Sequence, residues 1–178
     1  MNSSFSDLRI WLADLTYTQQ TVAADVMPNA IGGIATFTES RVDLRHPVRL
    51  FKYPEKLMEA LENEAPPDII GFSNYVWNFA LSYGFARVIK EIYPETIVIF
   101  GGPNYPTDER EQEDFLRIHD DIDFYIIKEG ELAFARIIER LVENGKDIGT
   151  VQKEGIPSVH SVGADKETCL SQKTERIS

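Results

Sequence analysis

The sequence predicts an α/β fold in which short buried strands alternate with amphipathic helices around a parallel sheet. Three observations carry this expectation. Five apolar segments of a few residues each are bounded by Gly, Pro or Asp, which is how strands covered on both faces read. Each is followed by apolar residues at helical spacing. The 178 residues, 43% hydrophobic and 26% charged, suit one globular domain with a short appendage rather than two full cores.

The first strand spans Leu8 to Ala13. Pro28 suits the first turn of the next helix, which carries Ile31, Ile34, Ala35 and Thr38 on one side. Val48-Arg49-Leu50-Phe51 alternates as a short second strand, and after Pro54 the set Leu57, Met58 and Leu61 forms an apolar stripe. The break at Pro66-Pro67 precedes a third strand, Asp68 to Ser73. Leu81, Phe85, Val88, Ile89 and Ile92 then mark a helix from about Asn78 that Pro94 ends. The β-branched run Thr96 to Phe100 is the fourth strand, and Phe115 and Leu116 mark a shorter, more polar helix. Asp123 to Ile127 is the fifth strand. From Glu131, the residues Leu132, Phe134, Ala135, Ile138 and Leu141 form the last helix, stopped by Gly145.

Five β–α repeats with right-handed crossovers give a flavodoxin-like (Rossmann-like) doubly wound five-stranded parallel sheet, order 2-1-3-4-5, with helices on both faces. Residues 1–150 are assigned to this domain. In residues 151–178 helical periodicity does not return, and Lys166 to Ser178 is polar. That segment reads as a hairpin on the domain surface or as the start of a linker.

Eighteen Lys and Arg stand against 29 Asp and Glu, a net charge of −11. Such a chain repels polyanions, so neither nucleic acid nor an anionic membrane surface is an expected partner. A ligand with one phosphate remains compatible, because backbone amides can hold it locally. The single cysteine, Cys169, excludes an internal disulfide framework and any multi-thiolate metal site built by this chain alone. The first residues lack the pattern of a signal peptide, and no apolar run approaches the roughly 20 residues needed to span a bilayer. A soluble, cytoplasmic protein is expected.

In a sheet of this order function belongs to the loops after strands one, three, four and five. Tyr17, Tyr75, Trp77 and Tyr105 converge there with small residues and amide side chains, as around a large, flat, partly apolar ligand. Singly, each aromatic reads equally well as a cap on the core. Gly101-Gly102 after a buried strand removes side chains where another group must approach the backbone. Glu129 and Glu131 flank Gly130 at the start of the last helix, where the dipole favours negative charge. Glu131 reads equally as a plain helix start, whereas Glu129 could accept hydrogen bonds from a ligand. No residue is assigned a catalytic or metal-ligating role.

A phosphorylatable receiver shares the architecture, but it needs an acceptor Asp at the end of strand three, where this chain has Ser73 and Asn74. A flavodoxin needs hydroxyls in loop one, and Thr16 to Thr21 has them without the glycine that turns successive amides around a phosphate. FMN binding, or a non-catalytic interaction module, remains the alternative.

The whole set resembles the cobalamin-binding domain at the N-terminus of B12-dependent radical S-adenosylmethionine enzymes, over about Leu8 to Val162. The resemblance rests on Ala13-Asp14-Leu15-Thr16, Pro28 to Gly33, Gly71 to Asn78, Phe100 to Pro106 and Glu129-Gly130-Glu131. In the wider fold, loop one carries Asp-x-His-x-x-Gly, whose His ligates cobalt. Here Asp14 matches, while Thr16 stands in the His position and Gln19 in the Gly position. The radical-enzyme branch often lacks that ligand, and His46, His119 and His160 read as surface or structural residues.

The resemblance implies cobalamin as cofactor, held without a protein histidine. Ser73, Gly101 and Gly102 would admit its nucleotide tail along strands one, three and four. Asn74, Asn78 and Glu129 would meet corrin amides, and Tyr75 and Trp77 would cover the apolar lower face. Asp14, Thr16, Tyr17, Pro103, Gly130 and Glu131 complete the implied site. The full enzyme, a methyltransferase, would add a [4Fe-4S] cluster and S-adenosylmethionine on a C-terminal radical domain, the implied partner. Lone Cys169 cannot supply that domain's Cys-x-x-x-Cys-x-x-Cys motif. The chain would bind a cofactor and catalyse nothing alone.

Overall fold

The computed structural model describes residues 6–17, 29–163, 167–171 and 173–174. In chain order its elements are β1 (Ile10–Ala13), α1 (Asn29–Arg41), β2 (Arg49–Phe51), α2 (Pro54–Asn63), β3 (Ile69–Ser73), α3 (Phe79–Ile92) and β4 (Ile97–Gly101). There follow α4 (Glu109–Ile118), β5 (Phe124–Ile126), α5 (Gly130–Glu143), α6 (Ile148–Lys153), β6 (Val159–Val162) and β7 (Thr168–Leu170). Together the strands make one sheet of order β2-β1-β3-β4-β5-β6-β7. The first five pair in parallel in the expected order 2-1-3-4-5, and β6 and β7 extend the sheet antiparallel beyond β5.

Side-chain alternation along each strand builds two cores. Ile10, Leu12, Ile69, Ile97, Ile99, Phe124 and Ile126 pack under α1 and α5. Trp11, Ala13, Ile70, Phe72, Val98, Phe100 and Tyr125 pack under α2, α3 and α4 on the other face. Register then fixes where the parallel strands end, since Ala13 pairs with Phe51 and Phe72, Ser73 with Gly101, and Gly101 with Ile126. These carboxyl-terminal ends lie side by side, and the loops that follow share one rim.

Two helical stripes differ from expectation. Met58 is 50% exposed and Ala60 takes the buried place beside Leu57 in α2. In α3, Val88 and Ile92 face solvent while Ser82, Phe85, Ala86 and Ile89 are buried. Small residues at Ala60, Ser82 and Ala86 allow close approach to the sheet, which outweighs the larger apolar area of their neighbours. Pro28, expected in the first turn of α1, lies outside the described residues.

Against the expectation of no further helix, the segment after 150 begins within the short helix α6, and it then continues the sheet. Asp147 caps α6 by accepting from the Thr150 amide at 3.2 Å, and the Gln152 side chain donates to the Asp123 and Val162 carbonyls at 3.2 and 2.9 Å. His160 in β6 is 3% exposed and stands opposite Tyr125. Among the described residues no helix is long and apolar enough to cross a membrane.

Candidate functional site

Loop three, between β3 and α3, is held from both sides. The Asp14 carboxylate at the end of β1 accepts hydrogen bonds from the Ser73 hydroxyl and, at 3.3 Å, from the Asn78 side-chain amide. That amide lies 3.1 Å from the Ser73 oxygen, and the Asn78 carbonyl oxygen accepts from the Tyr75 amide at 2.8 Å. The turn is thereby fixed, and it projects Val76 and Trp77 outward, 81% and 65% exposed. Tyr75 stacks on Trp77 with ring centroids 4.5 Å apart and planes 7° from parallel.

Loop four, between β4 and α4, is tied to loop three through Asn74, which is fully buried. Its amide nitrogen donates to the Asn104 carbonyl at 2.7 Å and to the Tyr125 hydroxyl at 2.9 Å, and its side-chain oxygen accepts from Asn104 at 3.0 Å. The Tyr125 hydroxyl in turn donates to the Gly102 carbonyl at 2.9 Å. Gly102 has φ +136°, and a Cβ there would sit 2.5 Å from the Asn74 carbonyl oxygen. Glycine is required at this position by the chain's own loop packing, whatever binds nearby.

Beneath this rim a cavity of ≈ 410 Å³ runs between the sheet and the helices α1 and α5. Leu12, Gly71, Ser73, Ile99, Gly101 and Ile126 line it from the strands, Ala30, Ile31 and Ile34 from α1, and Phe134 from α5. Tyr75, Gly102 and Pro103 contribute from loops three and four, and Lys128, Glu129, Gly130 and Glu131 from the turn into α5. At Gly71 a Cβ would lie 2.6 Å from Leu12 Cδ2 and 3.3 Å from Phe134 Cε2, so the strand is bare where the side chains around the cavity close in.

Among the residues expected at the site, Ser73, Tyr75, Gly101, Gly102, Pro103, Glu129, Gly130 and Glu131 therefore come together around the cavity. Asp14, Asn74 and Asn78 are not in its lining. Their side chains are engaged in the internal bonds described above, so the two asparagines position loops rather than offering free amides. Thr16, whose amide donates to the Lys52 carbonyl at 3.1 Å, lies to the side, and Tyr17 is exposed. Loop-one residues 18–28 lie outside the described residues, and with them the rest of the hydroxyl run and Gln19.

The sequence alone gives no site role to Lys128, Phe134 or the α1 residues Ala30, Ile31 and Ile34, although Pro28 to Gly33 belongs to the resemblance. Gly71 within a buried strand was the one available signal of a close approach at the cavity floor. The histidines lie elsewhere. His46 contacts Asp7 at 3.2 Å, His119 bonds the Phe115 carbonyl at 2.7 Å, and His160 Nδ1 lies 3.2 Å from the Tyr105 hydroxyl.

Comparison with known proteins decides the family, because the model of the B12 binding domain matches residues 20–138. The chain belongs to the B12 binding domain family. It is a cobalamin-binding domain related to cobalamin-dependent radical SAM methyltransferases. The cobalamin-dependent radical SAM methyltransferase TokK of Streptomyces tokunonensis is 27% identical over 157 residues, which are 85% of this chain and 21% of that protein. The 2-(S-pantetheinyl)-carbapenam-3-carboxylate methyltransferase of Streptantibioticus cattleyicolor is 33% identical over 129 residues, 68% of this chain and 18% of that one. The chain thus spans about a fifth of the length of these relatives.

Two solved structures share the B12 domain's fold. The cobalamin-dependent S-adenosylmethionine radical enzyme OxsB, with aqua-cobalamin and S-adenosylmethionine bound, superposes with TM-score 0.66 and 15% identity over 96% of this chain and 23% of its own. The response regulator DrrB of Thermotoga maritima gives TM-score 0.56 and 18% identity, covering 97% of this chain and 68% of that one. These likenesses concern architecture alone.

Proposed function

We propose that this chain is the cofactor module of a larger cobalamin-dependent radical SAM enzyme, a methyltransferase, and holds cobalamin without donating a histidine to cobalt. The observation that carries this reading is the cavity at the carboxyl ends of β1, β3 and β4. At ≈ 410 Å³ it lies near the lower end of small-molecule sites, large enough for the flat base of a nucleotide tail and too small for a macrocycle. The tail enters beside Ser73, Gly101 and Gly102, and the corrin ring rests on the rim. The stacked Tyr75–Trp77 pair presents an apolar aromatic surface there. Glu129 and Glu131 stand beside the turn into α5, within reach of corrin amides.

The histidine positions support the second half of the proposal. Thr16 occupies the place of the family's cobalt ligand, and the chain's three histidines are engaged away from the cavity. When bound, cobalamin supplies a cobalt-centred methyl carrier. The protein's part is to hold the tail away from the metal and to shield the lower face from water. Chemistry on a substrate belongs to the radical domain of the longer enzyme, which carries the [4Fe-4S] cluster and S-adenosylmethionine.

Incubation with hydroxocobalamin, gel filtration and a visible spectrum of the protein peak test this directly. Co-elution of a corrinoid with the displaced-base spectrum is expected; a colourless peak, or retained flavin fluorescence after incubation with FMN, would contradict it. Tyr75→Ala combined with Trp77→Ala should lower corrinoid retention about tenfold while the far-ultraviolet circular dichroism stays unchanged, since the pair lies on the rim outside both cores.

A further inference from the structure

Resting on the reading above, we propose that the cavity selects corrinoids by the chemistry of the tail base, admitting a benzimidazole and discriminating against a purine. The inner wall is made by Leu12, Ile31, Ile99, Ile126 and Phe134, none more than 4% exposed, and their side chains carry no hydrogen-bonding atom.

Among the described residues, the polar groups that end β3 and β4 beside the cavity are already engaged. The Ser73 hydroxyl donates to Asp14 and lies 3.1 Å from the Asn78 amide. The Gly101 carbonyl accepts from the Asn74 amide at 2.6 Å, and the Gly102 carbonyl accepts from Tyr125 at 2.9 Å. The strand backbone at Leu12, Gly71 and Ile99 sits inside the parallel ladder. Among the described residues of the lining, charged groups come only from the turn into α5, where Lys128 and Glu129 are exposed and Glu131 is half-buried, so they guard the mouth rather than the floor.

Dimethylbenzimidazole presents methyl groups and ring carbons along its outer edge. Adenine, of nearly the same size, presents an exocyclic amine and ring nitrogens that would leave water and find no partner at this floor. The discrimination therefore comes from polarity, not bulk. An apolar pocket rejects a polar isostere by up to about a hundredfold, and a preference of about tenfold or more is expected for this floor.

Calorimetric titration of the 178-residue chain with three ligands decides the matter. They are cobalamin, the same corrinoid bearing adenine as its tail base, and cobinamide, which lacks the nucleotide, each reduced to the cobalt(I) state, in which no tail base is coordinated and none must be displaced. The expected result is that cobalamin binds at least tenfold more tightly than either of the others. A ratio below tenfold between the two base-bearing corrinoids overturns base selection and leaves cobalamin binding standing. Cobinamide binding within tenfold of cobalamin overturns it as well, because the tail then gains nothing from the cavity. Absence of heat with all three removes the functional reading together with the inference.

Discussion

Tyr125 sits in β5, its ring stacked on Tyr105 at 3.8 Å, and its hydroxyl reaches both Asn74 and the Gly102 carbonyl. One phenol therefore sets the spacing between loops three and four, and burial raises its pKa so that it stays a donor. Tyr125→Phe keeps the ring and removes both bonds; a loss of about 1–2 kcal/mol in urea unfolding is expected, with weaker corrinoid retention. Gly102→Ala should cost more, about 2–3 kcal/mol, because the new methyl meets the Asn74 carbonyl in a backbone conformation that L-residues avoid. An unchanged unfolding midpoint for Gly102→Ala would contradict the loop packing described. At this scale the sequence was legible in part. Ser73 and Gly101 could be placed because they close strands, and Glu131 because it opens a helix. The engagement of Asn74 and Asn78 with Asn104, Tyr125 and Asp14 could not, since it depends on contacts between loops far apart in the chain.

At the scale of elements, the parallel strands were legible because continuous burial on both faces leaves an unambiguous apolar run, and each end fell within two residues of expectation. The hairpin of β6 and β7 was not seen as part of the sheet. Its sequence Val159-His160-Ser161-Val162 places polar side chains in buried positions, where the Tyr105 hydroxyl lies 3.2 Å from His160 and the Gln152 carbonyl accepts from Ser161. Burial holds the His160 pKa below its ordinary 6.5. The unfolded chain then binds the proton more readily than the folded one. This contribution to stability is complete above about pH 6.5 and is lost as the pH falls through the folded value. The urea midpoint should fall more steeply between pH 7 and pH 5 for the wild type than for His160→Gln; parallel slopes would contradict the assignment. Deleting residues after Glu154 removes the strand pairing with β5 and leaves an unprotected edge. That truncation should aggregate or melt well below the full chain.

The whole molecule is an acidic doubly wound sheet whose carboxyl-terminal rim gathers the glycines, aromatics and carboxylates proposed above to hold a corrinoid. Its architecture is shared with the response regulator DrrB, so the fold alone leaves the ligand undecided and the family match points to cobalamin. Ser73 and Asn74 at the end of β3 replace the carboxylate a phosphorelay would need, and an apolar floor with a glycine at its centre replaces a phosphate cradle. In the proposed binding mode cobalt sits over this rim with no nitrogen beneath it. Electron paramagnetic resonance of the reduced cobalamin complex reads this directly. The cobalt hyperfine lines should carry no further splitting from an axial nitrogen, and a resolved nitrogen splitting on each line would show a coordinated base or histidine and contradict the account.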